Sequence, residues 1–245
     1  MSNKYIALRL CGVLQSWGYN SEYTYRNSGL FPTKSAVLGL FCAAKGLPRG
    51  SDEERHFLGK VAHAPMTAIA LPRTRTAGKK SWPIHVRRIE DFHTVQGALN
   101  AKGEQQVMKI EGKQQVHANG EKVLQCDVTH RQYLCDADFL VLLEVDAEVA
   151  EDLKKKLADP IWGVWLGRKS CIPSTPVFAG VFSSLDEVCK NLLGGKAISC
   201  FTHQKEVASF ENGTDTLMDI PIDFAIEKRE RSQRRIKTFE AQKNE

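Results

Sequence analysis

Residues 131–145 read RQYLCDADFLVLLEV, and the nearly continuous apolar centre of this stretch predicts one strand buried on both faces of a covered sheet. Asp146 follows as a helix cap, and over 147–158 Val149, Leu153 and Leu157 recur at spacing four, the apolar stripe of an amphipathic helix. Lys154, Lys155 and Lys156 sit at the negative end of that helix's dipole, and Pro160 stops it. Beyond it, 162–166 and 177–182 read as further strands.

The same order occurs towards the N-terminus. Residues 4–11 (KYIALRLC) alternate apolar and polar positions and predict a strand. Residues 12–31, rich in Gly, Ser, Asn and Tyr, form a long loop of the kind that often carries function. Pro32-Thr33 opens a helix with Thr33 as cap. Ala36, Val37, Leu40, Phe41 and Ala44 form its apolar face, and Gly46 and Pro48 stop it. A second short helix over 52–61 and a strand over 66–71 (MTAIAL) follow.

Strand, helix, strand, then strand, helix, strand predicts an α+β fold: a ferredoxin-like or RRM-like βαββαβ palm over 1–182. Residues 98–128 interrupt it. They are polar, with short alternating stretches and turn signals at Glu111-Gly112 and Asn119-Gly120, and predict an inserted β-hairpin thumb. Residues 183–245 read as a mixed C-terminal extension whose last stretch, 227–245 (EKRERSQRRIKTFEAQKNE), is a frayed helix or polar tail.

Composition narrows the class of protein. With 42% apolar and 26% charged residues among 245, the chain is expected to fold. Its longest apolar runs, 36–44 and 139–143, are far shorter than the roughly 18 residues of a membrane span. The first residues, interrupted by Arg9, read as a strand and not as a secretion leader. Seven cysteines, at 11, 42, 126, 135, 171, 189 and 200, contain no C-x-x-C pair and fit free buried thiols in a reducing cytoplasm.

Catalytic carriers are missing from the sequence. It has no G-x-x-x-x-G-K-[ST], G-x-G-x-x-G or H-E-x-x-H, and no zinc-spaced Cys/His cluster, so no cofactor and no metal site is expected. Of the seven histidines, His93 in EDFHT is the candidate general base, and it reads more simply as a hydrogen-bonded or RNA-contacting residue. The net charge is only +5, but 73–88 holds six Lys or Arg and no acid, an arrangement suited to phosphates or to a solvated loop.

Several ordered segments then stand out: LCGVLQSWG (10–18), PTKSAVLGLFCAAKG (32–46), EDFHTVQG (90–97), RQYLCDADFLV (131–141) and WLGRKSCIPSTPVFAG (165–180). Together they resemble the CasD subunit family of type I-E CRISPR Cascade, over 4–180 and in the family's order. The resemblance implies a RAMP-superfamily palm with a hairpin thumb. It also implies a partner set: the crRNA 5′ handle, the Cascade backbone subunit and the large PAM-sensing subunit. Target DNA would be reached through the complex, and no membrane is involved. In type I-E systems a separate endonuclease cuts the precursor, which makes this family a non-catalytic binder. Related type I-C subunits do cut RNA, so the alternative is a metal-independent endonuclease using His93 with a nearby Lys or Tyr.

Physical roles for the matching residues follow from that resemblance. Lys34 and Ser35, at a helix N-terminus, would form an anion site. Arg168 and Lys169 follow Gly167, where a missing side chain would admit an RNA backbone. Arg131 and Tyr133, two apart on a strand, would share one face as cation and stacking ring. Trp17 and Gln15 would offer a flat ring and an amide, although Trp17 fits a core equally well. Arg26, His93 and Lys109 complete the candidate set. On the thumb, Lys102, Lys109 and Lys113 would meet phosphates, and Val107 or Met108 would wedge a base.

Overall fold

The computed structural model describes residues 3–19, 21, 24–99, 103–225 and 230–242. Strand β1 (Asn3–Cys11) leads through the short strands β2 (Leu14–Gln15) and β3 (Tyr25–Arg26) into helices α1 (Lys34–Lys45) and α2 (Asp52–Val61). Strand β4 (Met66–Ala70) is followed by a hairpin, β5 (Arg73–Ala77) and β6 (Lys80–Ile84). A long arm then runs out on β7 (Arg87–Gln96), turns through β8 (Lys109–Ile110) and β9 (Lys113–Gln114), and returns on β10 (Cys126–Cys135). The chain continues with β11 (Asp138–Asp146), α3 (Ala147–Ala158), β12 (Phe178–Phe182) and α4 (Leu185–Leu192). Strands β13 (His203–Glu206), β14 (Asp215–Asp223) and β15 (Glu230–Phe239) come last.

Seven of these strands form one sheet in the order β12-β1-β11-β4-β13-β15-β14, and each neighbouring pair is antiparallel. Strand alternation splits the core between its two faces. Ile6, Leu8 and Leu10 of β1 and Phe139, Val141 and Leu143 of β11 pack towards Val37, Leu38 and Phe41 of α1 and Leu153 of α3. Ala7, Leu140 and Leu142 point the other way, under Val188 of α4, Leu193 and Phe201. A side chain such as Phe41, with no exposed surface, contributes about 1.5–3 kcal/mol of transfer free energy. Double-sided burial is why 139–143 is apolar at every position.

An RRM stacks bases on the bare face of its sheet. Here α4 and the segment after it cover that face, so any nucleic-acid surface must lie elsewhere. Helices α2 and α4 begin alike: Ser51 Oγ accepts from Glu54 N–H at 3.1 Å and Ser184 Oγ from Glu187 N–H at 3.2 Å. The same glutamates reach back to the N–H of Gly50 and Ser183, a near capping box.

Three expectations are corrected. Residues 131–145 form two strands, β10 and β11, because Asp136 takes a left-handed φ of 59° and its N–H donates to the Val13 carbonyl; this bend sends β10 into the arm and β11 into the main sheet. Residues 162–166 form a loop: the N–H groups of Ile161 and Trp162 donate to the carbonyls of Ala44 and Ala43, satisfying acceptors that the end of α1 leaves open. Within 227–245, read as a frayed helix or tail, Glu230–Phe239 is strand β15, paired on both sides.

Candidate nucleic-acid interface

The arm is longer than the hairpin expected over 98–128. Strands β7 and β10 pair from Cys126↔Gln96 to Cys135↔Arg87, a ten-residue ladder that spans roughly 33 Å at about 3.3 Å per residue. At the tip β8 and β9 pair through the two-residue turn Glu111-Gly112, both at positive φ (51° and 78°), as a tight hairpin turn requires. A second turn at Asn119-Gly120 is closed by Gly120 N–H to His117 O and His117 N–H to Glu121 O.

Register decides which side chains share a face. His93 lies opposite Thr129, Asp91 opposite Arg131 and Ile89 opposite Tyr133, and β3 places Arg26 beside Arg131. Period-two alternation therefore puts Arg26, His93, Arg131 and Tyr133 on one face. The loop after Trp165 brings Arg168 to the same side. Its guanidinium lies 4.6 Å from the Tyr133 ring centroid, its Nη2 donates to the Arg26 carbonyl at 3.1 Å, and its Nη1 is buried with no hydrogen-bond partner. Arg131 Nε donates to Thr129 Oγ1 at 3.2 Å, and Lys169 is exposed beside Arg168. Tyr133 is itself buried, so its ring serves as a shelf under Arg168.

His93 Nε2 lies 2.6 Å from Asp91 Oδ2 but makes no aligned hydrogen bond, so the contact is one of proximity on neighbouring strand positions. The other face of the arm carries Tyr25 stacked on His130 (4.4 Å, 17°) and Phe92 edge-on to the same ring (4.7 Å). His130 Nδ1 lies 2.8 Å from Glu90 Oε1, and this bond holds the Glu90 carboxyl below its usual range. Tyr25 and Phe92 are exposed. Nothing in the sequence analysis singled out this ring cluster; the β3 pairing with β10 that assembles it links residues more than 100 positions apart.

Other candidates are drawn elsewhere. Gln15 is buried: its Nε2 donates to the carbonyls of Leu10 and Ala137 (3.0 and 2.6 Å) and its Oε1 accepts from Trp17 Nε1 at 3.1 Å. Trp17 has no exposed surface, so ring and amide together tie the end of β1 to the bend between β10 and β11. Lys34 is also fully buried, with its ammonium 2.9 Å from Glu206. Its backbone N–H donates to Asp219, so the protein's own carboxylate fills the anion position expected there. Gly167, at φ +98°, would place a Cβ 1.8 Å from the Ser16 carbonyl oxygen; the backbone that approaches it closely is the chain's own. Ser35 is buried and lines a cavity beside α1. Lys109 and Lys113 are exposed at the arm tip, beyond the ladder, and Lys102 lies outside the described residues.

Among the described residues, no group of three or more His, Cys, Asp or Glu side chains is placed to hold a metal ion, and no helix is long and apolar enough to cross a membrane. The cysteines are free thiols, and burial pushes Cys42 up to about 12.

An α+β protein with a covered antiparallel sheet and an inserted β-arm that gathers Arg26, Arg131 and Arg168 at its base is the class that this geometry defines. The chain belongs to the Cas5 family of CRISPR-associated proteins, whose model matches residues 5–237. It is 29% identical over 185 residues to the CRISPR system Cascade subunit CasD of Escherichia coli strain K12, covering 74% of this chain and 73% of that one. Among solved structures, a chain of a CRISPR RNA-guided surveillance complex superposes with a TM-score of 0.65 at 24% identity, over 96% of this chain and 88% of that one. The crystal structure of a Cas protein gives 0.58 at 27% identity, over 96% and 93%.

Proposed function

We propose that this chain is a non-catalytic, crRNA-binding structural subunit of a type I-E Cascade, one that caps the 5′ handle of the guide and helps assemble the complex for guide-directed DNA targeting. The observation that carries this reading is the convergence of Arg26, Arg131 and Arg168 on one face at the base of the arm, with exposed Lys169 next to Arg168 in the chain. Cations held by paired strands and a packed loop neutralise phosphates at set spacings; at the thumb, contacts of this kind would be insensitive to spacer sequence, as a subunit that accepts any guide requires. The strand order β12-β1-β11-β4, with α1 and α3 as its crossovers, supports a ferredoxin-like palm. The arm supports a thumb that closes over RNA and against the backbone subunit. Contact with the large PAM-sensing subunit and a cytoplasmic location belong to the same reading.

Support for a non-enzyme is chemical. His93 has Asp91 as its close neighbour, and His130, hydrogen-bonded to Glu90, faces the opposite side of the ladder; Tyr133, the tyrosine on the His93 face, is buried beneath Arg168 and so is not free to act as the partner acid. The test is binding of the chain's own repeat RNA in EDTA at several salt concentrations. Arg131→Ala and Arg168→Ala should each lower affinity about tenfold and reduce the salt slope by about one, with the RNA recovered uncut. Normal retention by both variants would remove this face from the RNA site, and cleavage that depends on His93 would make the endonuclease reading the correct one.

A further inference from the structure

Residues 73–88, with six Lys or Arg and no acid, have no place in the RNA face just described. Strands β5 and β6 pair from Arg73↔Ile84 to Ala77↔Lys80, a two-stranded ribbon about 17 Å long at about 3.3 Å per residue, and every residue from 74 to 83 is exposed. Its tip is the two-residue turn Gly78-Lys79, with Gly78 at φ +61°, a position where so short a hairpin turn takes glycine. Its root is fixed. Arg73 Nη1 donates to the Asp136 carbonyl at 3.1 Å and lies 3.4 Å from the Asp136 carboxylate, at the bend between β10 and β11. Along β10, Arg131 stands about 13 Å from that root.

Alternation separates the ribbon's two faces. Arg75 lies opposite Trp82 and Ala77 opposite Lys80 on one, while the other carries Thr74 opposite Pro83 and Thr76 opposite Ser81. Among the described residues no carboxylate pairs with Arg75, Lys79 or Lys80. Like charges gathered this closely repel one another, and the exposed ribbon buries no core of its own to offset the repulsion. A polyanion would offset it. The ribbon's shape narrows the class of polyanion. Single strands are held largely by stacking rings, and the ribbon has one exposed ring, Trp82. A protein strand adding to its edge needs backbone donors, and Pro83 has none. The major groove of B-DNA, about 12 Å wide, admits a two-stranded ribbon and sets phosphates on both sides of it.

We propose that the β5–β6 ribbon is a second nucleic-acid site, one that holds double-stranded DNA through backbone phosphates and without regard to sequence, independent of the Arg26–Arg131–Arg168 face. In a guide-directed complex it gives this subunit a direct hold on the duplex being searched. The test is fluorescence anisotropy of a short dye-labelled DNA duplex, of one of its strands alone and of the repeat RNA, each titrated with the full chain at several salt concentrations. The triple variant Arg75→Ala, Lys79→Ala, Lys80→Ala should lower duplex affinity at least about tenfold and flatten the log–log salt slope by about 2.7, or about 0.9 for each lost phosphate contact, with RNA affinity unchanged. Lys79→Ala with Lys80→Ala, confined to the turn, should flatten it by about 1.8, and this pair carries the test if the triple variant melts lower than the parent. Arg131→Ala should do the reverse, weakening RNA and sparing the duplex. Duplex affinity and slope that survive both ribbon variants overturn the proposal, as does a single DNA strand bound as tightly as the duplex through the same residues. A parallel loss of RNA affinity would assign the ribbon to the RNA face and overturn it too. RNA that fails to bind while the duplex still binds overturns the RNA reading and leaves this site standing.

Discussion

The backbone N–H of Lys34 donates to Oδ2 of Asp219 at 2.8 Å across 185 residues of sequence. Asp219 thus caps α1, where the hydroxyl of Thr33, the residue in the cap position, makes no capping bond. Arg234 grips the same carboxylate twice, at 2.6 and 2.9 Å. Glu206 takes the Lys34 ammonium at 2.9 Å and lies 3.8 Å from Arg234. Two cations and two carboxylates bind the last strands of the sheet to its first helix.

Breaking this cluster from one side should be costly. Asp219→Ala leaves Arg234 buried and half-compensated and strips the cap from α1, and should lose about 3–5 kcal/mol in urea unfolding. Asp219→Ala with Arg234→Met should recover much of that loss, because the stranded charge is gone. A single variant within about 0.5 kcal/mol of the parent would mean the cluster is not structural.

Lys34 also sets a pH response. Burial holds its ammonium below the ordinary value of 10.5, outweighing the pull of Glu206. With the folded pKa below the unfolded one, the unfolded chain binds more protons between the two values. Stability therefore rises with pH across that window, and the penalty is present in full below it. The parent minus Lys34→Met difference in unfolding free energy should shift in the parent's favour across this alkaline window; a flat difference there would contradict the burial.

Gly167→Ala separates two readings of LGRKSC. If the glycine admits RNA, the substitution harms binding alone. Its φ of +98° and the 1.8 Å approach to Ser16 O predict instead a folding defect, of at least about 1–3 kcal/mol from backbone strain, with Arg168 displaced from Tyr133. A parent-like melting temperature with weakened RNA binding would reverse that assignment.

Shortening the arm should spare the sheet. Replacing 105–123 by a Gly-Ser turn removes mostly exposed residues and keeps the β7–β10 ladder, so thermal unfolding should move by no more than about 0.5 kcal/mol. Under the proposed function the same variant loses assembly on guide RNA. Full assembly with normal target binding would show that the arm is not a thumb.

Helices 34–45, 52–61 and 147–158 and the strands beginning near 4, 66 and 178 were legible in the sequence, because periodicity, caps and stop residues act within a few positions of where they stand. The turns at Glu111-Gly112 and Asn119-Gly120 were legible for the same reason. Strand β15 was not: Arg234 reads as a solvent residue until Asp219, fifteen positions earlier, neutralises it inside the fold.

Candidate site residues divide along the same line. That Arg131 and Tyr133 share a face followed from strand alternation alone, whereas Arg26 and Arg168 joined them through pairings spanning 105 and 142 positions. Lys34, Gln15 and Trp17 carried the residue types of a binding site, and the tertiary structure turned them inward, because partners distant in sequence satisfy their charge and hydrogen bonds. By itself the sequence determined which segments become helix or strand and which residue types are available for phosphate and ring contacts. Only the tertiary structure decided which of them face solvent, since burial depends on chain segments that no local pattern encodes.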